Sequence, residues 1–289
     1  MLYSKAVTEI VRNRFSCRTY VDKPIAEEDR RRLSDYLSAI GPGTFGTAVR
    51  FKLIAATDQE RKALKGLGTY GFIKGATGFI VGAVGPSTKN LEDFGYMMES
   101  VILFATDMGL GTCWLGGSFT RSSFAKKITA TAEELVPAVA SIGYVLKKEQ
   151  SGITIRQLVG GYKRKPWENL FFREKFGIPL SSDEAGLYAV PLEMVRIGPS
   201  ASNKQPWRII KDGDSWHFYM QRTKGYGTSF TLKLLNIADL QRVDMGIAMC
   251  HFEMTAGELG LKGKWGMKEP KIEKPNTLCE YTVSWIGKV

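Results

Sequence analysis

The stretch DFGYMMESVILFATDMGLGTCW at residues 93–114 has a second copy, DMGIAMCHFEMTAGELGLKGKW, at residues 244–265. The two stretches align without gaps at an offset of 151 residues, and seven of the 22 positions are identical. The identical pairs are Asp93/Asp244, Gly95/Gly246, Met98/Met249, Ala105/Ala256, Gly109/Gly260, Leu110/Leu261 and Trp114/Trp265. Each copy is predicted to hold a long helix that a glycine ends, and together they indicate an internal repeat.

The order of predicted elements recurs around the two stretches. The first copy is predicted to contain helices at 3–13, 26–40 and 91–108 and strands at 49–56, 77–84 and 138–145. The second copy is predicted to contain helices at 183–197 and 237–259 and strands near 207, at 216–221 and at 278–286. Residues 147–180 are interpreted as a connector. Two buried helices could converge on one pattern, but the shared order of elements favours duplication.

Duplication predicts an α+β protein with two homologous halves, residues 1–165 and residues 166–289. Each half should carry a sheet flanked by helices. Two copies in one chain can pack about a pseudo-twofold axis as the subunits of a homodimer do, so we expect an intramolecular pseudo-dimer that is a monomer in solution. A single ligand site between the halves would then be built from both.

The composition excludes several classes of site. The 289 residues are 44% hydrophobic and 24% charged, as in ordinary globular proteins. Four widely spaced cysteines and two histidines argue against a disulfide framework, a zinc site or a Ser-His-Asp triad, so neither a metal ligand nor a catalytic side chain is predicted.

The apolar runs and the net charge bear on location and partners. No apolar run approaches the ~20 residues that a membrane helix needs, and the N-terminus has the pattern of an amphipathic helix rather than a signal peptide. We therefore expect a cytoplasmic protein with no membrane partner. The net charge is +11, but the basic residues are scattered and form no known nucleic-acid motif, so no nucleic-acid partner is expected.

One candidate binding segment is the run Arg14-Phe15-Ser16-Cys17-Arg18-Thr19-Tyr20. In an extended chain, Arg14, Ser16 and Arg18 alternate onto one face. Two guanidinium groups and a hydroxyl there suit a phosphate and the carbonyl edge of a heterocycle. A solvated basic strand would explain the same residues.

A second candidate is the run Gly198-Pro199-Ser200-Ala201-Ser202-Asn203-Lys204-Gln205-Pro206-Trp207-Arg208, which leads from a predicted helix to a predicted strand. Its small residues allow close approach to a ligand, and Asn203 and Gln205 offer amide groups. An ordinary turn would also explain its Ser, Asn and Pro content.

In this order the two runs resemble motifs of the nitroreductase family of FMN-dependent oxidoreductases. Two further stretches match that family, namely residues 108–117 after the first long helix and the basic run Lys163-Arg164-Lys165-Pro166. The resemblance covers nearly the whole chain and implies an FMN-dependent enzyme. Such an enzyme passes hydride from NAD(P)H through the flavin to a nitroaromatic, a quinone or a similar small acceptor.

The resemblance also implies cofactor-binding roles for individual residues. Arg14 and Arg164, with Lys163, would hold the FMN phosphate, and Phe15 and Ser16 lie in the same motif. Arg18 would lie near the N1/C2 carbonyl edge, and backbone near Leu115 and Gly116 would face the flavin N5 edge. The residues expected to cover the isoalloxazine and ribityl chain are Pro199, Ser200, Ala201 and Asn203.

The chain departs from the family's homodimeric pattern. The Arg-x-Ser-x-Arg motif occurs only in the first half and the Asn-x-Gln-Pro-Trp motif only in the second, whereas the matching loop at residues 41–46 reads GPGTFG. This resembles the single-chain, pseudo-dimeric nitroreductases, in which one of two composite sites survives.

Three alternatives stay open at the level of sequence. They are a flavin-binding sensor or carrier with little or no turnover, a degenerate member that has lost the cofactor, and a basic nucleic-acid-binding protein. The run Gly66-Leu67-Gly68-Thr69-Tyr70-Gly71 also fits the GxGxxG dinucleotide pattern. We predict a loop near the substrate opening there, because a charged helical stretch precedes it and a strand-like stretch follows it.

Overall fold

The fold is built on two β-sheets in which four strands follow the same order. The computed structural model describes residues 3–55, 73–117, 119–146, 163–226 and 238–287. The first sheet contains β1 (Val49–Ala55), β2 (Gly78–Val84), β3 (Leu110–Leu115) and β4 (Val139–Tyr144), in the antiparallel order β1-β2-β4-β3. The second contains β5 (Phe171–Arg173), β6 (Trp207–Asp212), β7 (Ser215–Gln221), β8 (Gly263–Gly266) and β9 (Cys279–Gly287), in the order β5-β6-β7-β9-β8. Without β5, which pairs with β6 in parallel, the second sheet repeats the first.

Seven α-helices flank the sheets within the described part of the chain. They are α1 (Val7–Asn13), α2 (Glu27–Ala39), α3 (Asn90–Asp107), α4 (Arg121–Ile128), α5 (Ser182–Ala185), α6 (Ala189–Ile197) and α7 (Leu240–Glu258). Three acidic residues in the first turn of α2 interact favourably with the positive end of the helix dipole. Gly109 and Gly260 follow α3 and α7 with φ of +80° and +73°, a conformation that other residues adopt only with strain.

The two long helices, α3 and α7, pack against each other at the aligned glycines. A Cβ atom at Gly95 would overlap the carbonyl oxygen of Val243, and one at Gly246 would overlap the carbonyl oxygen of Glu92. Each glycine therefore admits the backbone of the opposite helix. Beside the crossing, Arg242 of α7 pairs with Glu92 of α3 at 2.6 Å.

Each half has its own apolar core. The first lies between α3, α2 and the first sheet and includes Phe94, Met98 and Ile80, all fully buried. The second lies between α7 and the second sheet and is rich in aromatic residues such as Trp207 and Phe252. The predicted α+β fold with two homologous halves is confirmed. We keep the boundary between residues 165 and 166 as a proposal, since Leu170 and Phe171 already lie in the second core.

Some predicted elements differ from those observed. The single helix predicted at residues 183–197 is wrong, because Gly186 at φ +58° separates α5 from α6. The first helix begins at Val7 rather than at Tyr3. Elements β3, α4, β5 and β8 were not predicted. The GxGxxG run at residues 66–71 and residues 147–162 of the predicted connector lie outside the described residues. Residues 163–180 of the predicted connector are described and contain β5.

Candidate functional site

The first candidate segment runs along the edge of the first sheet. Ser16 forms a parallel bridge with Thr112 of β3, and the Cys17 amide donates to the Thr112 carbonyl at 2.8 Å. Cys17 is buried over Gly111, whereas Ser16 and Arg18 are half-buried and the Arg14 side chain is 6% exposed. The extended backbone thus presents these three side chains on the face opposite Cys17, as the alternation predicts.

The end of β3 touches the second half. Leu115 is buried at the end of the strand, and a Cβ at Gly116 would meet the side chain of Leu240 at the start of α7. Gly116 lies four residues beyond Thr112, which is about 13 Å along a strand. The segment at residues 14–18 and the Leu115–Gly116 pair therefore lie along one edge of the molecule.

The second candidate segment is a strained loop. Ser202, Asn203 and Gln205 have φ of +50°, +53° and +49°, values that cost free energy in residues other than glycine. The Ala201 amide donates to Asp244 Oδ1 at 2.9 Å, and the Gln205 amide donates to Ser200 Oγ at 2.9 Å. Strain held by such specific contacts is typical of binding loops.

The basic run at the end of the first half is hydrogen-bonded to this loop. Asn203 Nδ2 donates to the Lys163 carbonyl at 2.8 Å, and Arg164 Nη1 donates to Asn203 Oδ1 at 3.1 Å. Gln205 Nε2 also donates to the Lys163 carbonyl, at 3.2 Å. Arg164 Nη2 donates to the Ile197 carbonyl at 2.9 Å, which fixes its guanidinium at the end of α6.

Cations from both halves converge beside the loop. Burial, then repulsion from Arg14 and from Arg196, lowers the pKa of Arg164 to about 10. Arg196 is already paired with Glu193, at 2.6 Å. Arg14 of the first candidate segment therefore acts electrostatically on Arg164, which is hydrogen-bonded to Asn203 of the second candidate segment. An anion between the two guanidinium groups would offset their repulsion.

A buried polar network lies beneath this meeting point. Glu99 of α3 is fully buried, and its Oε1 lies 3.6 Å from Arg14 Nε and 2.9 Å from His251 Nε2 of α7. Its Oε2 accepts from Trp114 Nε1 at 2.7 Å. His251 Nδ1 lies 2.9 Å from the Met194 carbonyl of α6, so Nδ1 must carry a proton.

A family model covers most of the chain. Residues 6–256 match the model described as "Putative TM nitroreductase".

The chain belongs to this nitroreductase family.

One solved structure has the same fold over nearly the whole chain. A nitroreductase from Thermotoga maritima matches with a TM-score of 0.61 at 20% identity, over 98% of this chain and 94% of that one. A nitroreductase family protein from Clostridium difficile 630 matches at 17% identity with a TM-score of 0.42, over 56% of this chain and 94% of that one. An oxidoreductase containing FMN also scores 0.42 at 17% identity, over 51% of this chain and 80% of that one. No curated protein sequence matches the chain significantly.

The two halves hold their equivalent loops in the same way. The aligned aspartates Asp93 and Asp244 each accept from a loop of their own half. Asp93 Oδ1 and Oδ2 accept from the Phe45 and Thr47 amides at 2.9 and 3.1 Å, as Asp244 accepts from Ala201. The loops differ in what they offer a ligand, because Phe45 stands in the first and packs against the second core.

The aligned tryptophans show the same symmetry, but the charges around them differ. Trp114 Nε1 donates to Glu99, and Trp265 Nε1 donates to Glu253 at 2.7 Å. Arg14 pairs with Glu99, whereas the described residues include no arginine paired with Glu253. The surroundings of Trp114 and Trp265 therefore share the same tryptophan–glutamate hydrogen bond but differ in charge, because only Glu99 has an arginine partner among the described residues.

Several site residues were not in the sequence-based set. They are Glu99, Arg196, Gln205, Asp244 and His251. Gln205 was in the quoted loop, and the identity of Asp93 and Asp244 was a usable signal. Glu99 and His251 gave no signal, because their partners come from other elements. Within the described residues there is no cluster of side chains that could hold a metal ion, and no helix is long and apolar enough to cross a membrane.

Proposed function

We propose that this nitroreductase family member binds one FMN between its halves and is an NAD(P)H-dependent oxidoreductase that reduces a nitroaromatic, a quinone or a similar small acceptor. Family membership supports the oxidoreductase class. The observation that carries the cofactor proposal is that Arg14 and Arg164 both reach helix α6. Arg164 donates to the Ile197 carbonyl and to Asn203. Arg14 pairs with Glu99, which reaches the Met194 carbonyl of the same helix through His251. Each half contributes what the other lacks.

The cations fit the phosphate of FMN. Arg14 is only 6% exposed and Arg164 is half-buried, so both guanidinium groups have already lost most of their contact with water. A phosphate between them would therefore gain strong charge-assisted hydrogen bonds at little further cost of desolvating the arginines. Ser16, on the same face as Arg14, adds a hydroxyl donor. Lys163 is exposed beside Arg164 and adds positive charge at the outer end.

The remaining residues suit the rest of the cofactor. Arg18, on the same strand edge as Arg14, would place positive charge near the N1/C2 carbonyl edge. Phe15, Pro199, Ser200 and Ala201 would contribute apolar contact and backbone polar groups.

Bound FMN would supply the redox chemistry itself, so the protein needs no nucleophilic side chain. Leu115 and Gly116, at the far end of the edge and against Leu240, would bound the reacting side and limit access of water.

A double variant tests the cofactor site. Arg14→Ala with Arg164→Ala should weaken FMN binding at least ~100-fold, because two charge-assisted contacts are lost at about 1.5–3 kcal/mol each. The dissociation constant can be measured by quenching of flavin fluorescence. The control is Arg31→Ala with Arg32→Ala, two exposed arginines of α2, which should bind like the wild type. Unchanged FMN affinity in the Arg14/Arg164 variant would refute the site.

Turnover is tested separately. When NADPH or NADH is mixed anaerobically with the FMN-loaded protein, the visible flavin absorbance should bleach rapidly. A loaded protein that stays yellow would instead be a flavin-binding sensor or carrier.

A further inference from the structure

A second group of cations lies on the other side of Gln205. Lys165 Nζ lies 3.3 Å from the Gln205 carbonyl oxygen, and Arg208 Nη1 lies 3.1 Å from the same atom. Arg208 Nη1 also donates to the Trp207 carbonyl at 2.6 Å. Lys204, next to Gln205 in the loop, is exposed. Two half-buried cations thus converge on one carbonyl, with a third beside them.

This group is distinct from the cations around Arg164. The repulsion that acts on Arg164 comes from Arg14 and Arg196, whereas the repulsion on Lys165 comes from Arg208 and Lys204. The Gln205 side chain stands between them, since its Oε1 accepts from the Lys165 amide at 2.8 Å and its Nε2 donates to Asn203 Oδ1 at 3.1 Å. The strained loop therefore separates two centres of positive charge.

The second group has no carboxylate partner within the described residues. No ion pair involves Lys165, Lys204 or Arg208 there. Near Arg208 lies the Cys279 thiol, whose pKa burial raises to about 11, and the neighbouring Glu280 is bound to Arg222.

Half-buried cations without a counter-charge are unfavourable. Burial, followed by Arg208 and Lys204, lowers the pKa of Lys165 to about 8, and burial also lowers the pKa of Arg208. An anion at this place would remove that cost.

We propose that Lys165, Lys204 and Arg208 form a second anion site, which binds a phosphate group of the nicotinamide dinucleotide. The choice of ligand rests on the proposed function. FMN has a single phosphate, and Arg14 with Arg164 already match it. A phosphate on the far side of Gln205 therefore belongs to a second molecule. The dinucleotide reductant brings a pyrophosphate, and NADPH brings a 2′-phosphate as well.

Direct binding to the FMN-loaded protein tests the site. The probes are adenosine 2′,5′-diphosphate and adenosine 5′-diphosphate, titrated calorimetrically in a low-salt chloride buffer. Lys165→Gln and Lys204→Gln should each weaken the binding of at least one probe about tenfold. This is the lower end of the effect expected when one contact with a charged group is lost. Lys264→Gln, which removes an exposed cation from β8, should bind both probes like the wild type. Melting temperatures would show that each variant is folded.

The two probes identify the phosphate. If the lysine variants bind only adenosine 2′,5′-diphosphate more weakly, the site is assigned to the 2′-phosphate of NADPH. If they bind both probes more weakly, it is assigned to phosphates that NADH also carries. Equal affinities for the Lys165, Lys204 and Lys264 variants, or no binding to the wild type, would overturn the proposal. FMN content is measured on the same samples. If the wild type holds FMN but binds neither probe, only the second site is rejected. If the wild type binds a probe but takes up no FMN, only the flavin proposal is rejected.

Discussion

The carboxylate of Glu99 connects the segment at residues 14–18 to helices of both halves of the chain. It lies fully buried between Arg14, Trp114 and His251, and His251 in turn contacts the helix that precedes the Asn203 loop. A buried carboxylate with these neighbours balances the charge of Arg14 and orients its guanidinium. Loss of that charge would leave Arg14 desolvated without a counter-charge.

Substitution of Glu99 should therefore cost more than substitution of its pseudo-equivalent. We expect Glu99→Gln to lower the free energy of unfolding by about 3 kcal/mol, as for a broken buried ion pair. Glu253→Gln keeps a hydrogen-bond acceptor for Trp265 at a half-buried place, and we expect a loss of about 1 kcal/mol. Urea unfolding measures both, and FMN affinity should fall only in the Glu99 variant. Equal losses in both quantities would contradict a special role for Glu99.

Lys165 should make stability depend on pH. Its pKa is about 8 in the folded chain against 10.5 ordinarily, so the unfolded chain binds more protons between those values. Stability should therefore rise with pH across that window, as the folded chain loses the unfavourable charge. Lys165→Met removes the charge at every pH. The variant should therefore have a higher free energy of unfolding than the wild type at pH 7, and this difference should be smaller at pH 10.

The measurement is urea unfolding in a buffer without phosphate, at both pH values. Lys264→Met, at an exposed position of β8, is the matched control and should differ from the wild type by the same amount at pH 7 and pH 10. A constant difference for Lys165→Met as well would show that its charge is not destabilised by the fold.

The sequence predicted which residues carry charge to the site but not what supports them. Arg14, Arg164 and Asn203 were predicted because they stand in recognisable motifs, and in the structure Arg164 is hydrogen-bonded to Asn203. Glu99 and His251 look like polar interruptions of apolar helices, since they contact each other across 152 residues of the chain. Spacing along one helix carries no information about a contact with another.

At the scale of elements, α3 and α7 carry the internal symmetry. Apolar spacing and a terminal glycine were enough to predict both helices. Strands β3 and β8 were missed because each follows its long helix within a few residues and is short, so no alternating pattern separates it from the turn. The glycine pair Gly95/Gly246 appeared as an identity in the repeat, but only the structure shows that it is the point of closest approach.

The helix crossing gives a direct prediction. Gly246→Ala should lower the free energy of unfolding by about 3 kcal/mol, because the new methyl group meets backbone that cannot move aside unless the helices separate. Gly257→Ala, on an exposed face of the same helix with open space around it, should raise it by up to about 1 kcal/mol. Chemical denaturation of the two variants decides the matter. A Gly246 variant as stable as the wild type would mean that α3 and α7 do not pack this closely in solution.

At the scale of the whole molecule, the two halves share a scaffold but not a binding site. Apart from β5, both sheets have the same strand order. In each half an aligned aspartate accepts hydrogen bonds from the loop, and an aligned tryptophan donates to a glutamate. Only one of the two places receives an arginine-bearing strand and an amide-bearing loop. The pseudo-equivalent loop offers Phe45, whose side chain packs against the second core instead of presenting a hydrogen-bonding group.

This asymmetry predicts one FMN for each 32.1 kDa chain. Titration of the protein with FMN, followed by flavin absorbance of the bound fraction and light scattering of the same sample, gives the ratio and the mass together. We expect one equivalent on a monomer, and none at the same concentrations in the Arg14/Arg164 double variant. Two equivalents would mean that the Phe45 side also binds flavin and that the motifs do not define the site. Half an equivalent on a dimer would mean that the site forms between chains, so that the duplicated halves would not have replaced the homodimer.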